Sequence, residues 1–282
     1  MKLCRYGKNG FEKPGIIDAD GRLRDLSKVI ENIGPKELAP RGLKMLAKIK
    51  PEALAVIANG PRLGAPFVGI GKFVAIGLNY SDHAKEAGMA IPSEPIVFMK
   101  ATTSISGPND DVIQPKRSTK LDWEVELGIV IGSKAQYVSE AQALEHVAGY
   151  CVVNDVSERA FQMATGQWDK GKSFDTAGPI GPWLVTTDEI KDPQVLDMWL
   201  DLNGKRMQSG NTRTMIFNCA QIVSHVSHYM TLMPGDVICT GTPPGVGLGM
   251  KPNPVFLKPG DVMTLGIHGL GEQKQKVVAY SG

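Results

Sequence analysis

Apolar residues in this chain come in short runs punctuated by glycine and proline. From Lys72 onward the runs are FVAIGLNY, EPIVFMKA, DDVIQP, LDWEVELGIVIG, HVAGYCVVNDVS, GPWLVTT, VLDMWLDLNGKRM, GDVICTGTP, DVMTLGIH and QKVVAY. Runs this short, bounded by turn residues, predict β-strands. Asn203-Gly204, between DMWLDL and KRMQ, is a strong hairpin signal. Helical spacing is confined to SDHAKEAG, SEAQALEHV and TMIFNCAQIVSHVSHYM. In the last of these, His225 and His228 lie among Ile222, Val223 and Val226 and read as structural. The pattern predicts a mainly β, α+β fold, a roll or sandwich with peripheral helices, rather than a doubly wound sheet.

The first seventy residues read differently. KPGIIDADGRLRDLS predicts a hairpin turning at Asp18–Gly21, and a helix is expected from Gly42 to Ile49. The Pro/Gly-rich NGPRLGAPFVGIG follows as a connector. The expectation is a small N-terminal module over 1–70 and a catalytic domain over 71–282. That module is expected to decorate the main domain rather than supply chemistry.

Hydrophobic residues make up 42% and charged residues 21% of the 282, enough apolar content for a sizeable core. A net charge of +2 with scattered lysines gives no footprint for nucleic acid. No run reaches the roughly 20 apolar residues needed to span a bilayer, and MKLCRYGKNG lacks the apolar segment of a signal peptide. Cys4, Cys151, Cys219 and Cys239 are widely spaced without a C-x-x-C, which argues against a zinc knuckle or disulfide framework. A cytoplasmic protein is expected.

Against this background one pair of residues is anomalous. Glu124 and Glu126 sit in LDWEVELGIVIG, where a period of two points both to one face of an apolar strand. Like charges sharing a buried face cost several kcal/mol unless something positive lies between them. A second apolar strand, HVAGYCVVNDVS, ends on Asp155. A single Glu on a strand is more often its solvent face, but the continuously apolar Leu127, Ile129, Val130 and Ile131 argue against an open face. Three carboxylates on strands make an all-oxygen site suited to Mg²⁺ or Mn²⁺.

Other segments carry weaker signals. NYSDHAKEAGM follows a strand, with Ser81 or Asp82 expected to cap a short helix that sets His83 and Glu86 three residues apart on one face. Such a pair can orient an imidazole to take a proton from water, or be an incidental surface pair. Lys172 in GKSF could stabilise an enolate, or simply be solvated. Arg159, four residues past Asp155, and Gln162 can reach the same cleft; Arg159 suits a carboxylate by its forked donors, or a surface ion pair. TGTPPGVGLG lacks the Lys-Ser/Thr of a phosphate loop, and its Thr240, Thr242 and amides could hold a carboxylate. Sequence signatures of P-loop, dinucleotide, G-x-S-x-G and H-E-x-x-H enzymes are missing.

Taken together, IGLNYSDHAKEAG, PIVFMK, LDWEVELGIVIG, YCVVNDVSERAFQ, GKSFDTAGPIGPW and VICTGTPPGVG, in this order, resemble the fumarylacetoacetate hydrolase family. The opening MKLCRYG…KPGIIDADG…RDLS is similar to members described as ureidoglycolate lyases or 2,4-diketo-3-deoxy-sugar-acid hydrolases. The resemblance implies a mixed β-sandwich roll, a homodimer, and a metal triad at Glu124, Glu126 and Asp155. It further implies a His83–Glu86 dyad on a lid, Lys172 as an active-site lysine, and Arg159, Gln162 and Thr242 as substrate-binding residues.

The expected activity is Mg²⁺- or Mn²⁺-dependent hydrolysis of a carbon–carbon bond in a 2,4-diketo acid, a small-molecule 2-oxo acid substrate, releasing pyruvate. Oxaloacetate decarboxylation and ureidoglycolate lysis on the same metal site are the alternatives within enzymes. A non-catalytic, metal-stabilised binding protein is the alternative outside them.

Overall fold

A computed structural model of the chain describes residues 1–282, apart from the side chain of Ala87. Its centre is the strand Val125–Ile131, buried along its whole length. This strand runs antiparallel to Val147–Asn154 on one side and to Val237–Cys239 on the other. From there the ten-stranded sheet extends through Gly178–Thr186 to the N-terminal strands, and in the other direction through Phe73–Gly77 to Ile96–Lys100. A second sheet of five strands comprises the hairpin Asp197–Leu202/Lys205–Asn211, then Val262–Ile267, Gly271–Ala279 and Val112–Gln114. Asn203 and Gly204 adopt positive φ at the hairpin, the conformation an Asn-Gly turn supplies at least cost.

Both faces of the main sheet are covered, which explains the continuously apolar central run. Leu127, Ile129 and Ile131 pack in one core with Met198, Leu200 and Leu265 of the second sheet and Ile222 and Val226 of the helix Cys219–Tyr229. Val130, on the opposite face, joins Cys151, Val153 and Cys239 against Leu3, Ile16, Leu26 and Phe67. The mixed, mainly β roll with peripheral helices is therefore the observed architecture. The N-terminal residues share it: Leu3 pairs with Leu184 in the same sheet, and the hairpin Lys13–Ile17/Leu23–Asp25 forms where expected.

Three local expectations shift. The N-terminal helix runs Pro40–Leu46, because Pro40 at its first position has no N–H to satisfy and a preset φ. The helix Ser81–Ala87 has Tyr80 at its N-cap with no side-chain cap; Ser81 Oγ instead donates to Thr214 O, and Asp82 accepts from Thr214 Oγ1. LDWEVELGIVIG is two strands rather than one. Leu121–Asp122 pairs with Ser157–Glu158, and Val125–Ile131 pairs with Val147–Asn154. In the break, Trp123 Nε1 donates to Gly245 O (3.1 Å) and Glu124 N to Asn154 Oδ1 (3.2 Å).

The sheet is tight where Val147–Asn154 shifts register. A Cβ on Gly149 would stand 2.2 Å from Val185 O of the neighbouring strand. Gly149→Ala should therefore lower stability by about 3 kcal/mol, at the upper end of ordinary overpacking costs. Guanidinium denaturation reads this directly, and an unchanged midpoint would mean the two strands part there without penalty.

Candidate active site

The three acids come together where the central strands end. Glu126 is the second residue of Val125–Ile131, opposite Val153, and Asp155 follows the end of Val147–Asn154. Glu124 sits in the strand break, its carbonyl accepting from Asp155 N (2.9 Å). Hydrogen bonding of this kind keeps the break and the strand end side by side. One oxygen from each carboxylate lies within 4.8 Å of the others, and all three side chains are buried.

Cations are distributed unevenly among these acids. Lys172 Nζ bridges Glu124 Oε2 (2.8 Å) and Asp155 Oδ2 (2.7 Å). Lys100 Nζ donates to Asp155 Oδ1 (2.6 Å) and to the Lys172 carbonyl. Arg159 Nη2 pairs with Glu124 Oε1 (2.7 Å). Glu126 accepts from Gly241 N (2.8 Å) and forms no ion pair among the described residues. The titration preferences follow. Burial pushes Glu124 upward, but Lys172 and Arg159 overcome it and hold its carboxyl well below the usual range. Burial and the charges of Asp155 and Glu124 drive Glu126 well above that range. Lys172 is raised: burial opposes its charge, yet Asp155 and Glu124 outweigh it.

This imbalance tests whether a metal fits. A hard divalent cation prefers an all-oxygen trio, and it would supply the positive charge that Glu126 lacks. The donor set therefore fits Mg²⁺ or Mn²⁺, with Glu124, Glu126 and Asp155 as the residues able to hold it.

The remaining expected residues arrive at the same place. Arg159 and Gln162 occupy the one-turn helix Arg159–Gln162, whose N-cap Glu158 accepts from Ala160 N (3.0 Å). Arg159 Nε meets Asp122 Oδ2 (2.9 Å), and Nη1 donates to Gln162 Oε1 (3.0 Å). Three of its nitrogens are thus engaged by the chain itself. Thr242 Oγ1 donates to Val125 O (2.9 Å) and accepts from Gln208 Nε2 (2.8 Å). His83 Nδ1 lies 3.2 Å from Glu86 Oε2, and the Glu86 carboxylate accepts from Gly245 N (3.2 Å). The helix Ser81–Ala87 is in this way seated on the loop after Thr242.

His83, Glu86, Glu124, Glu126, Arg159, Gln162, Lys172 and Thr242 all border one half-open cavity of about 520 Å³. A larger hollow of about 850 Å³ lies around Glu31, Lys36 and Arg41, but those side chains are solvated and no buried acid faces it. Size alone would select the wrong cavity.

Three buried residues of the site escaped the sequence reading. Lys100 closes the apolar PIVFMK strand as Asp155 closes its own, so the same signal, a charge ending a buried strand, was available. Asp122 and Gln208 gave none. Asp122 accepts from Trp123 N, Gly247 N and Leu248 N as well as Arg159, while Gln208 joins Val125 N to Thr242 and Pro243 O.

With the geometry in view, kinship can be read. Residues 72–278 match the family described as fumarylacetoacetate (FAA) hydrolase C-terminal. A protein of Burkholderia cenocepacia (strain HI2424), named only provisionally as a hydrolase, is 61% identical over 98% of both chains. A fumarylacetoacetate hydrolase from psychrophilic Exiguobacterium antarcticum superposes with a TM-score of 0.90 at 37% identity, covering 99% of this chain and 100% of the other. Maleylpyruvate hydrolase from Sphingobium sp. SYK-6, in complex with manganese(II) ion and pyruvate, gives 0.84 at 28% identity with both chains fully covered. The 2-hydroxyhepta-2,4-diene-1,7-dioate isomerase of Mycobacterium marinum gives 0.75 at 31%, again over the whole of both. The fold is that of a family of enzymes that contains hydrolases and isomerases. This chain belongs to the fumarylacetoacetate hydrolase family.

Asp122 offers a test of how the site is held. Asp122→Ala removes the buried partner of Arg159 and the acceptor of two loop amides. Breaking a buried ion pair from one side costs about 3–5 kcal/mol, so denaturation should show a loss of that size. A loss of only about 1 kcal/mol, the scale of an exposed pair, would show that Glu124 and Gln162 satisfy the guanidinium without Asp122.

Proposed function

We propose that the protein is a divalent-metal-dependent hydrolase cleaving a carbon–carbon bond of an acylpyruvate, a 2,4-diketo acid, to release pyruvate. The observation that carries the reading is the shared cavity: Glu124 and Glu126, which with the buried Asp155 make a carboxylate trio fit for a hard cation, border the same space as a His–Glu dyad. The pyruvate bound with manganese in the maleylpyruvate hydrolase neighbour is consistent with it. In this reading Glu124, Glu126 and Asp155 are the metal ligands, and Mg²⁺ or Mn²⁺ both suit them. The bound cation supplies Lewis acidity toward the 2-oxo group of the pyruvate half.

The chain's own residues do the rest. Glu86, fixed by Gly245 N–H, holds the His83 imidazole through Nδ1. His83 takes a proton from water through Nε2, and the water oxygen attacks the C4 carbonyl. The C3–C4 bond then breaks, its electron pair passing into the pyruvate enolate, and the imidazolium returns a proton to C3. Lys172 uses two donors on Glu124 and Asp155 and can direct a third at the developing negative charge. Arg159 and Gln162 orient the carboxylate end. Because the Thr242 hydroxyl proton is committed to Val125 O, its backbone N–H is the donor that can face a carboxylate. A homodimer and a cytoplasmic setting belong to the same proposal; the four cysteines are buried free thiols, as a reducing compartment allows.

Variants, a substrate panel and chelation test this. His83→Ala should retain metal affinity by calorimetry while losing about 10² to 10⁴ of turnover on an acylpyruvate, the usual worth of a general base. Full activity in that variant would remove His83 from the role. Glu126→Gln should abolish both Mg²⁺ and Mn²⁺ binding, and so should Asp155→Asn. Unchanged calorimetric binding in either would dissolve the metal trio. Pyruvate release from acylpyruvates, oxaloacetate and diketo sugar acids assayed in parallel separates hydrolysis from decarboxylation. A carboxylate cluster serving only folding would instead show chelation lowering Tm with no turnover on any of them.

A further inference from the structure

The cavity is chemically divided, and the division bears on the half of the substrate that leaves as a carboxylic acid. Its polar floor is the cluster around Glu124, Glu126, Arg159 and Lys172. The same lining carries an apolar surface, or wall, made by Met89, Met163, Trp168, Leu248, Pro252 and Pro254. Trp168 is held in place edge-on to Phe98, with ring centroids 5.3 Å apart. It lies so near Gly77 that a Cβ there would be 2.4 Å from the indole, so only glycine leaves the ring its seat. Of these, Met163 is 69% exposed, Met89 53% and Leu248 39%. Large apolar side chains turned outward around a cavity mark a ligand-binding groove.

The side-chain oxygens of Glu86, Gln162 and Thr242 in this lining are already engaged. Glu86 accepts from Gly245 N–H and faces His83, Gln162 Oε1 accepts from Arg159, and Thr242 Oγ1 is bonded on both sides. Lys251 is exposed at the rim, where water competes for it. A chain of hydroxyls laid along this wall would lose hydration and find few partners, whereas an alkyl or aryl chain would gain by burial.

We propose that the acyl half is an apolar alkyl or aryl group rather than a polyhydroxylated sugar-acid chain, with Met163 and Leu248 as specificity-determining residues. This rests on the acylpyruvate reading above. Thioether flexibility lets Met89 and Met163 adapt to acyl groups of different shape, so a family of apolar acyl groups is accommodated.

The test uses binding as well as turnover. The probes are 2-oxoheptanoate and its 4,5,6-trihydroxylated counterpart, 2-oxo acids without a 4-oxo group and hence without the scissile bond. Calorimetry on the Mg²⁺-loaded protein should find the alkyl compound bound on the order of 10²-fold more tightly, the discrimination an apolar wall exerts against added hydroxyls. In the double variant Met163→Gln/Leu248→Gln, both positions being partly solvated, that ratio should collapse toward unity while pyruvate affinity stays unchanged. Equal binding of the two probes, or preference for the hydroxylated one, overturns the proposal, and so does a ratio the double variant leaves intact. Apolar preference without turnover of any acylpyruvate would sustain this inference and defeat the hydrolase reading. Turnover of acylpyruvates with preference for hydroxylated chains would do the reverse, and failure of both probes to bind would defeat both.

Discussion

The site is governed by a charge balance that does not close. Asp122, Glu124, Glu126 and Asp155 are buried within a few residues of one another in the fold, against Lys100, Arg159 and Lys172. Removing carboxylates from water costs several kcal/mol each unless they are paired and hydrogen-bonded. The three cations serve Asp122, Glu124 and Asp155, and Glu126 is left with a backbone amide. A buried array left short of one positive group could be completed by a cation, for which these oxygen donors suit a hard one.

That array exists only because the sheet is rigid on both faces. Glu126 and Asp155 belong to adjacent central strands whose register is fixed by apolar side chains above and below. A slip of one residue would carry Leu127 to the site and Glu126 into the core. The break at Trp123 and Glu124 adds the third carboxylate without extending the strand, and the loop after Thr242 is fastened by Gln208 and Asp122 rather than by strand pairing. The helix carrying His83 rests on that same loop through Glu86, so the dyad is positioned relative to the trio by side-chain hydrogen bonds.

Much of this was legible in the sequence, for physical reasons. Buried acids in a β-rich run are costly enough to be conspicuous, which is why Glu124, Glu126 and Asp155 could be singled out from their apolar neighbours alone. Strand-length runs and turn residues likewise disclosed the mainly β architecture and both hairpins. What remained hidden depends on contacts between residues far apart in the chain. Arg159 reads equally as a surface ion pair or a cleft residue until Asp122 and Glu124 are seen to enclose it. Asp122 looks like a strand-end acid, and Gln208 like an ordinary strand residue, though both are fully buried clasps. The single strand expected over 121–132 failed because a period of two cannot reveal that Trp123 turns aside to bond Gly245 O. Nor does one-dimensional pattern reveal that the loop residues Leu248 and Pro254 border the same cavity as Trp168.

The separation of a charged floor from an apolar wall has a consequence for the chemistry as well as for recognition. An apolar wall that an acyl chain covers excludes water from the charged end, and with less water the local dielectric falls. Every interaction between Lys172 or Arg159 and negative charge on the substrate then strengthens, since Coulomb energy scales inversely with that dielectric. A chain of hydroxyls would carry its own water into the same space and weaken those interactions. The apolar residues therefore act on the reacting end without touching it: the better the acyl group fills the wall, the more the fixed charges of the floor count. On the proposed reading, selection of an apolar acyl group and stabilisation of an anionic leaving group would be served by the same exclusion of water.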